Sequence, residues 1–571
     1  MPQMLLILTL FLVIIPMVVL QTQPLVHLET GAVQGVYASS TAGRKFSAFR
    51  GIPYARPPTG KYRFKEPTPI KRWPGVWNAS EYGSSCLQYE NDLDRVTGSE
   101  DCLFINIFTP KLFTMDASPP REVLVFIHGK TFMSATELKH DPSHLMDNNI
   151  VVVTFNYRLG ILGFLSTEDD VAPGNFGMKD QVLALHWIQK NIAAFGGNPM
   201  RVIIAGSLAG GASVHYHYFS SNSQGLFHGG MSFAGTALSP WAQAYKPRVQ
   251  TNKLAEILGC STYSSGDLID CLRYRPARKI MQQTKHFLFL YFSKEIGTIP
   301  TSPFGPTIET MGKAPFINRH PGESLLAGAI QDLPWVTSTT IGNGFDPLSV
   351  SESAFQFLNE NFHNIASIVL NFNHTVAPTM HRKISENIYQ QYIANASTPE
   401  AALLGYQQLL IDRMYTADAE RAARMMASIN SAPVYFYDIP NKSLKDKLAS
   451  LQNDCPENPG IVIRNEIEYV EPTLYAREYF EEGRSLFKLL TKVFVNFVQT
   501  GNPTPSNGGG EWLPLIPNYK EINYLCISSS TAVEMKSSLE LGNRKFWDSL
   551  PLQDPSSIAF KVKMFSHSSE L

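Results

Sequence analysis

The chain has 571 residues, 44% of them hydrophobic, which is enough for a large buried core. Its 48 Lys+Arg against 49 Asp+Glu leave a formal net charge of −1, a balance that gives no support to a nucleic-acid partner or an acidic tail. It carries no internal repeat, low-complexity segment or charged or Gly/Ser linker, so a single large domain over 23–571 is expected.

Residues 1–22 contain the apolar run Met4–Leu20, short for a membrane span and interrupted by Pro16. The segment reads as a secretory signal peptide, although no Lys or Arg precedes the run and no small-x-small cleavage site follows it. An uncleaved anchor is the alternative; no other stretch is long and apolar enough to span. Six cysteines in a chain entering the secretory route suggest disulfides. Cys86 with Cys102 and Cys260 with Cys271 would close short local loops, leaving Cys455 and Cys526 either to pair or to stay free. Four N-x-[ST] sequons, at Asn78, Asn373, Asn395 and Asn441, fit the same compartment. The C-terminal Ser568-Ser569-Glu570-Leu571 resembles an endoplasmic-reticulum retention signal but lacks its usual basic residue, so secretion is expected.

After the signal, Val26–Val36 reads as a first hairpin strand punctuated by Gly31 and Gly35, and Phe46–Phe64 as a Gly/Pro-rich packed loop. Leu103–Phe108, Val123–Ile127 and the β-branched run Ile150–Phe155 predict strands. Gly177–Phe195 places Val182, Leu185, Ile188, Ile192 and Phe195 at helical spacing and stops at Gly196-Gly197-Asn198-Pro199. Strands alternating with helices in this way imply a large, mostly parallel, doubly wound α/β sheet flanked by helices.

A strand over Val202–Ala205 then runs into Gly206-Ser207-Leu208-Ala209-Gly210. A strand, a tight turn with glycines on both sides and a small-residue helix start are the context of the nucleophile elbow G-x-S-x-G. The centre of the frame is Leu208, which has neither a proton to give nor a lone pair to attack with. Ser207 is one residue early, and the elbow raises only its central side chain above the sheet. Without a catalytic reason for positive φ on a bulky residue, the turn is expected to have relaxed.

The chain resembles the type-B carboxylesterases, the family of cholinesterases and insect juvenile-hormone esterases. The likeness rests on short stretches in shared order along nearly its whole length. They include Phe49-Arg50-Gly51-Ile52-Pro53-Tyr54-Ala55, Ser99-Glu100-Asp101-Cys102-Leu103, Asn156-Tyr157-Arg158, Asp180-Gln181, Phe195-Gly196-Gly197-Asn198-Pro199 and Thr500-Gly501-Asn502-Pro503-Thr504. The resemblance implies an α/β-hydrolase fold with a deep gorge, and it fits the 86–102 and 260–271 disulfides. It places the triad in the order Ser, acid, His. Leu208 falls at the serine. The acid of the family precedes a glycine after a strand beginning Leu-Pro-Trp, which here gives Asn343. The base lies in a G-x-x-H loop; Gly460-Ile461-Val462-Ile463, with Glu466 and Tyr469 behind it, puts Ile463 there. Between His381 and His567 there is no histidine at all. The family's oxyanion loop His-Gly-Gly-Gly reads His128-Gly129-Lys130-Thr131, so Lys130 and Thr131 replace glycines while Ala209 would still offer its amide.

Other candidates fare less well. Ser207 and Ser213 have no identified base. His215 and His217 at i, i+2 face different sides of a helix, His186 reads as structural, and Pro142 separates His140 from His144. Metal loops, Cys-x-x-Cys pairs and Gly-rich dinucleotide loops are absent from the sequence, so neither a cofactor nor a metal is expected. Tyr89 is the only aromatic between Cys86 and Cys102, which argues against the choline site that cholinesterases build there with a tryptophan. Changes at all three triad positions and two oxyanion glycines predict an inactive member of insect-esterase or glutactin type. Loss of the acting triad residues costs on the order of 10⁶ in turnover. Such a chain would act by binding an extracellular protein partner, as the family's neuroligins, neurotactin and glutactin do in adhesion. The alternatives are a carrier for a lipophilic small molecule in the residual gorge, or a hydrolase with an unconventional site.

Overall fold

β-Branched and aromatic runs become strands. In chain order they are β1 (Leu25–Leu28), β2 (Gly31–Gln34), β3 (Val36–Ser39), β4 (Lys45–Pro53), β5 (Val76–Asn78), β6 (Gln88–Glu90), β7 (Arg95–Thr97) and β8 (Phe104–Thr109). Then come β9 (Arg121–Ile127), β10 (Val151–Phe155), β11 (Gly197–Ser207), β12 (Gly229–Phe233), β13 (Trp335–Thr340), β14 (Val434–Ile439), β15 (Ile522–Ile527) and β16 (Val533–Ser538). The computed structural model describes residues 23–90, 93–112, 119–135, 142–287, 302–340, 352–439, 480–504, 511–528 and 532–568. The N-terminal apolar run, His140, Asn343, Asn441, Cys455 and the 460–469 loop lie outside the described residues.

Eleven strands form one sheet in the order β16-β15-β14-β13-β12-β11-β9-β10-β8-β4-β3. The central run from β10 through β9 and β11 to β15 is parallel, and the pairs β3–β4, β4–β8, β8–β10 and β15–β16 are antiparallel. The expectation of a mostly parallel α/β sheet is met, with antiparallel flanks. In β9, Val123, Val125 and Ile127 enter one hydrophobic core while Leu124 and Phe126 enter another on the opposite face. Two-sided burial explains why the central strands read as continuous apolar runs rather than alternating ones.

The helices are α1 (Gly160–Phe164), α2 (Phe176–Asn191), α3 (Ala209–Phe219), α4 (Pro247–Ile257), α5 (Ser265–Tyr274), α6 (Ala277–Gln282) and α7 (Pro321–Leu326). They continue with α8 (Glu352–Val369), α9 (Pro378–Tyr392), α10 (Pro399–Ile411), α11 (Ala417–Ile429), α12 (Phe480–Thr500), α13 (Arg544–Ser549) and α14 (Pro555–Ser568). The predicted helix over 177–195 is α2 plus one 3₁₀ turn, Ile192–Phe195, and Gly196 ends it at φ +82°. The expected first strand is divided into β1, β2 and β3. β1 and β2 pair as a hairpin in a separate sheet, and β3 joins the main one.

The short stretches that carried the family resemblance have structural work in the fold. Arg158 clamps the Asp180 carboxylate through Nη2 at 2.7 Å and Nε at 2.8 Å, both residues buried, and so ties the loop after β10 to α2. Arg63 holds Glu100 at 2.6 and 2.8 Å and donates to the Leu272, Arg273 and Arg275 carbonyls. Cys86–Cys102 and Cys260–Cys271 are disulfides, as expected, and Cys526 is a buried free thiol. Among the described residues no helix is long and apolar enough to cross a membrane.

Candidate active site at the end of strand β11

The residues Val202–Ser207 of β11 are small or β-branched and buried, so the strand runs through the core to its C-terminal end. There the chain reverses into α3 in a single residue, Leu208, at φ 52° and ψ −116°. The expected relaxation of this turn is therefore wrong: Leu208 stands in a strained conformation. The reason lies in the surrounding backbone. A Cβ on Gly210 would fall 2.1 Å from the Ile127 oxygen, and one on Gly206 2.5 Å from the Gly210 carbonyl carbon. A Cβ on Gly129 would fall 2.2 Å from the Gly210 nitrogen, and one on Gly235 2.3 Å from the Leu208 oxygen. The Leu208 N–H donates to the Phe233 carbonyl at 2.9 Å, and its own carbonyl accepts the Ala212 N–H at 2.9 Å. Opening the turn would break both bonds and the glycine-to-backbone packing, so surrounding contacts over-determine the strain.

Leu208 is half-buried, and Ser207 is 1% exposed at the end of the strand. Ser213 is spent inside α3: its hydroxyl donates to the Ala209 carbonyl at 2.7 Å and accepts from Gln181 Nε2 at 3.1 Å. His217 bonds Ser223 Oγ at 2.7 Å and Gln181 Oε1 at 2.9 Å. His215 accepts the Ala237 N–H at 3.2 Å and stacks on Trp335 at 4.5 Å. Burial pushes both imidazoles down to about 3, so they are neutral at ordinary pH. The two rings point to different partners, as their i, i+2 spacing predicts. Among the described residues no three His, Cys, Asp or Glu side chains are grouped to hold a metal ion.

The loop His128–Phe132 leaves β9 beside the turn. The Thr131 N–H donates to the Ser134 carbonyl at 3.1 Å, and the Met133 and Ser134 N–H groups donate to Thr131 Oγ1 at 3.2 and 3.1 Å. Thr131 thus closes a local turn that consumes amides a glycine loop would leave for a ligand. Its side chain carries this arrangement, and the sequence signals it only through a hydroxyl three residues before Ser134. Lys130 is half-buried with no hydrogen bond or ion pair among the described residues, and its charge reaches Glu90. Burial alone would raise the Glu90 carboxyl. Hydrogen bonds from Thr97 and Arg95, with the Arg95 and Lys130 charges, hold it below the ordinary range. Ala209 opens α3, where helix geometry leaves the first N–H groups without helical acceptors. Asn343 would follow β13, the strand the Leu-Pro-Trp segment predicts; it and Ile463 fall outside the described residues.

A parallel sheet with a strained strand-to-helix turn at the C-terminal end of a central strand, facing a loop from the neighbouring strand, defines an α/β-hydrolase scaffold. The chain belongs to the carboxylesterase family, whose model matches residues 22–547. It is 35% identical to venom carboxylesterase-6 of Apis mellifera, covering 93% of this chain and 95% of that protein. It is also 35% identical to esterase FE4 of Myzus persicae over 87% of each chain. The juvenile hormone esterase of Tribolium castaneum is 34% identical, over 85% of this chain and 84% of that one.

Proposed function

We propose that this protein is a non-catalytic carboxylesterase-family member that acts by binding. The observation that carries the reading is the leucine held at the apex of the β11–α3 turn, where the fold presents one side chain and this one cannot attack a carbonyl. The commitment of the Thr131 amide to Ser134 supports it, because an oxyanion donor bonded elsewhere has to be released before it can stabilise charge. The internal bonds of Ser213 and the burial of Ser207 speak against a substitute nucleophile. In this reading Leu208, Asn343 and Ile463 are the vestigial triad positions and Lys130 and Thr131 the altered oxyanion positions. The two disulfides and the N-terminal apolar run support an extracellular setting. Of its sequons, Asn78 and Asn395 are exposed, whereas Asn373 is half-buried and is the poorest acceptor of the three described.

A second reading is carriage of a lipophilic ligand above Leu208. The half-buried leucine favours it, since an aliphatic base in place of a polar triad suits apolar contact. Hydrolysis of a short-chain aryl ester by the purified protein tests the proposal, measured beside a Leu208→Ser/Asn343→Glu/Ile463→His variant. The natural chain is expected at buffer background. Turnover that survives Ser207→Ala would remove the non-catalytic reading.

A further inference from the structure

From Cys271 to Phe287 the sequence holds Arg273, Arg275, Arg278, Lys279, Lys285 and His286 and no Asp or Glu, in a chain whose overall charge is −1. This is the C-terminal end of α5, α6 and the 3₁₀ turn Gln283–His286. Arg278 is exposed and pinned by its guanidinium to the Val96 and Gly98 carbonyls at 2.7 and 3.1 Å. Arg275 donates to the Gly259 carbonyl at 3.3 Å. Bonds to carbonyls fix the position of a guanidinium and leave its charge uncancelled. Lys279 and Lys285 are exposed and make no side-chain hydrogen bond or ion pair among the described residues. Among the described residues, only Arg273 of the set has a carboxylate within ion-pair distance, Asp270 at 2.8 Å. Tyr274, in the midst of these cations, is 90% exposed.

We infer that this ridge is a docking surface for a linear sulfated polysaccharide. A run of Arg held by carbonyls and of exposed Lys on a near-neutral molecule is a local attraction for a polyanion. The class of polyanion follows from what anchors the ridge. Arg278 is tied to the loop closed by Cys86–Cys102, and Arg275 to the residue preceding Cys260 in the second disulfide. Both staples form in oxidising compartments, where extended polyanions are sulfated glycans rather than nucleic acid. Sulfate oxygens suit the forked donors of Arg as carboxylate and phosphate do. Among the described acids of the neighbouring segments, Glu90 is paired with Arg95, Glu100 with Arg63 and Asp270 with Arg273, while Asp94 accepts the Tyr89 hydroxyl and Asp267 the Ser264 hydroxyl. The inference rests on the extracellular reading and not on the absence of catalysis.

The test is heparin affinity of the full purified chain at about 0.15 M ionic strength, where surface charges beyond about 8 Å are screened. Lys279→Glu/Lys285→Glu alters two side chains that bond nothing among the described residues, and Arg382→Glu/Lys383→Glu on α9 makes the same charge change on another element. Heparin binding is expected to weaken about tenfold or more in the first variant, some 1.4 kcal/mol, and to stay within about twofold in the second. Flow-through of the natural chain, equal losses in both variants, or tighter binding to a single-stranded oligonucleotide or to polyglutamate would overturn it. Ester turnover in a heparin-binding protein would remove the non-catalytic reading and leave this one standing.

Discussion

At φ 52°, Leu208 holds a conformation that costs roughly 1–3 kcal/mol for a residue with a Cβ, and glycine would hold it at little steric cost. Comparing glycine with alanine there separates the strain from the loss of the leucine side chain, because both substitutions remove that side chain. Leu208→Gly is expected to be more stable than Leu208→Ala by about 1 kcal/mol, the reverse of their usual order. Urea unfolding midpoints check it, and an alanine variant at least as stable would mean the backbone relaxes on substitution. That Leu208 stands at the apex of the turn was legible in the sequence because the glycine frame fixes which residue is central. The persistence of strain was not, because it depends on how closely Gly129, Gly210 and Gly235 approach their neighbours. Those approaches join segments that lie as much as 83 positions apart in the chain, from Ile127 to Gly210.

Helix α3 shows the same division one level up. Its start was readable from the small residues after the turn, and so were β8 to β11 and α2, whose apolar runs answer local periodicity. Beyond residue 220 the sequence yielded only β13. Helices α8 to α11 take their places from packing on one another, which no single run specifies. What α3 does with two buried histidines also needed the fold. Their ordinary value is 6.5 and burial holds them at about 3. Below pH 6.5 the unfolded chain takes up protons that folded α3 refuses. Their contribution to stability is therefore intact above pH 6.5 and is lost progressively as pH falls towards 3. His217→Gln is expected to be less stable than the natural chain near pH 7, where its bonds to Ser223 and Gln181 count. The gap should close on acidification by about 1.4 kcal/mol per pH unit. Unfolding midpoints from pH 7 to 4 measure this, and a gap that is constant with pH would show that His217 is protonated in the fold.

Across the whole molecule, the C-terminal helices are held to the body by charge as well as apolar contact. Arg421 on α11, 1% exposed, bonds Asp418 on its own helix at 2.6 Å and Asp548 on α13 at 2.8 Å. Glu420 receives Arg424 at 2.7 Å and Arg544 at 3.0 Å, and Arg413 reaches Asp554, just before α14, at 2.8 Å. The partners that join α11 to α13 and the start of α14 are separated by 120 residues or more, so nothing local in the sequence announces them. A buried network of this kind contributes little net stability against an apolar replacement of the same shape, but losing one member strands the rest without water. Among the described residues, Arg421→Ala leaves the buried Asp418 carboxylate with a long contact from Ser556 Oγ at 3.4 Å and the charge of Arg413. The expected cost is about 3–5 kcal/mol. Removing the stranded acid as well, in Arg421→Ala/Asp418→Ala, should recover part of that loss, because the second change takes away the uncompensated charge. Non-additivity in this direction separates a charge network from simple loss of arginine packing, which would make the double variant worse than the single. Urea unfolding midpoints of the natural chain and the two variants measure it.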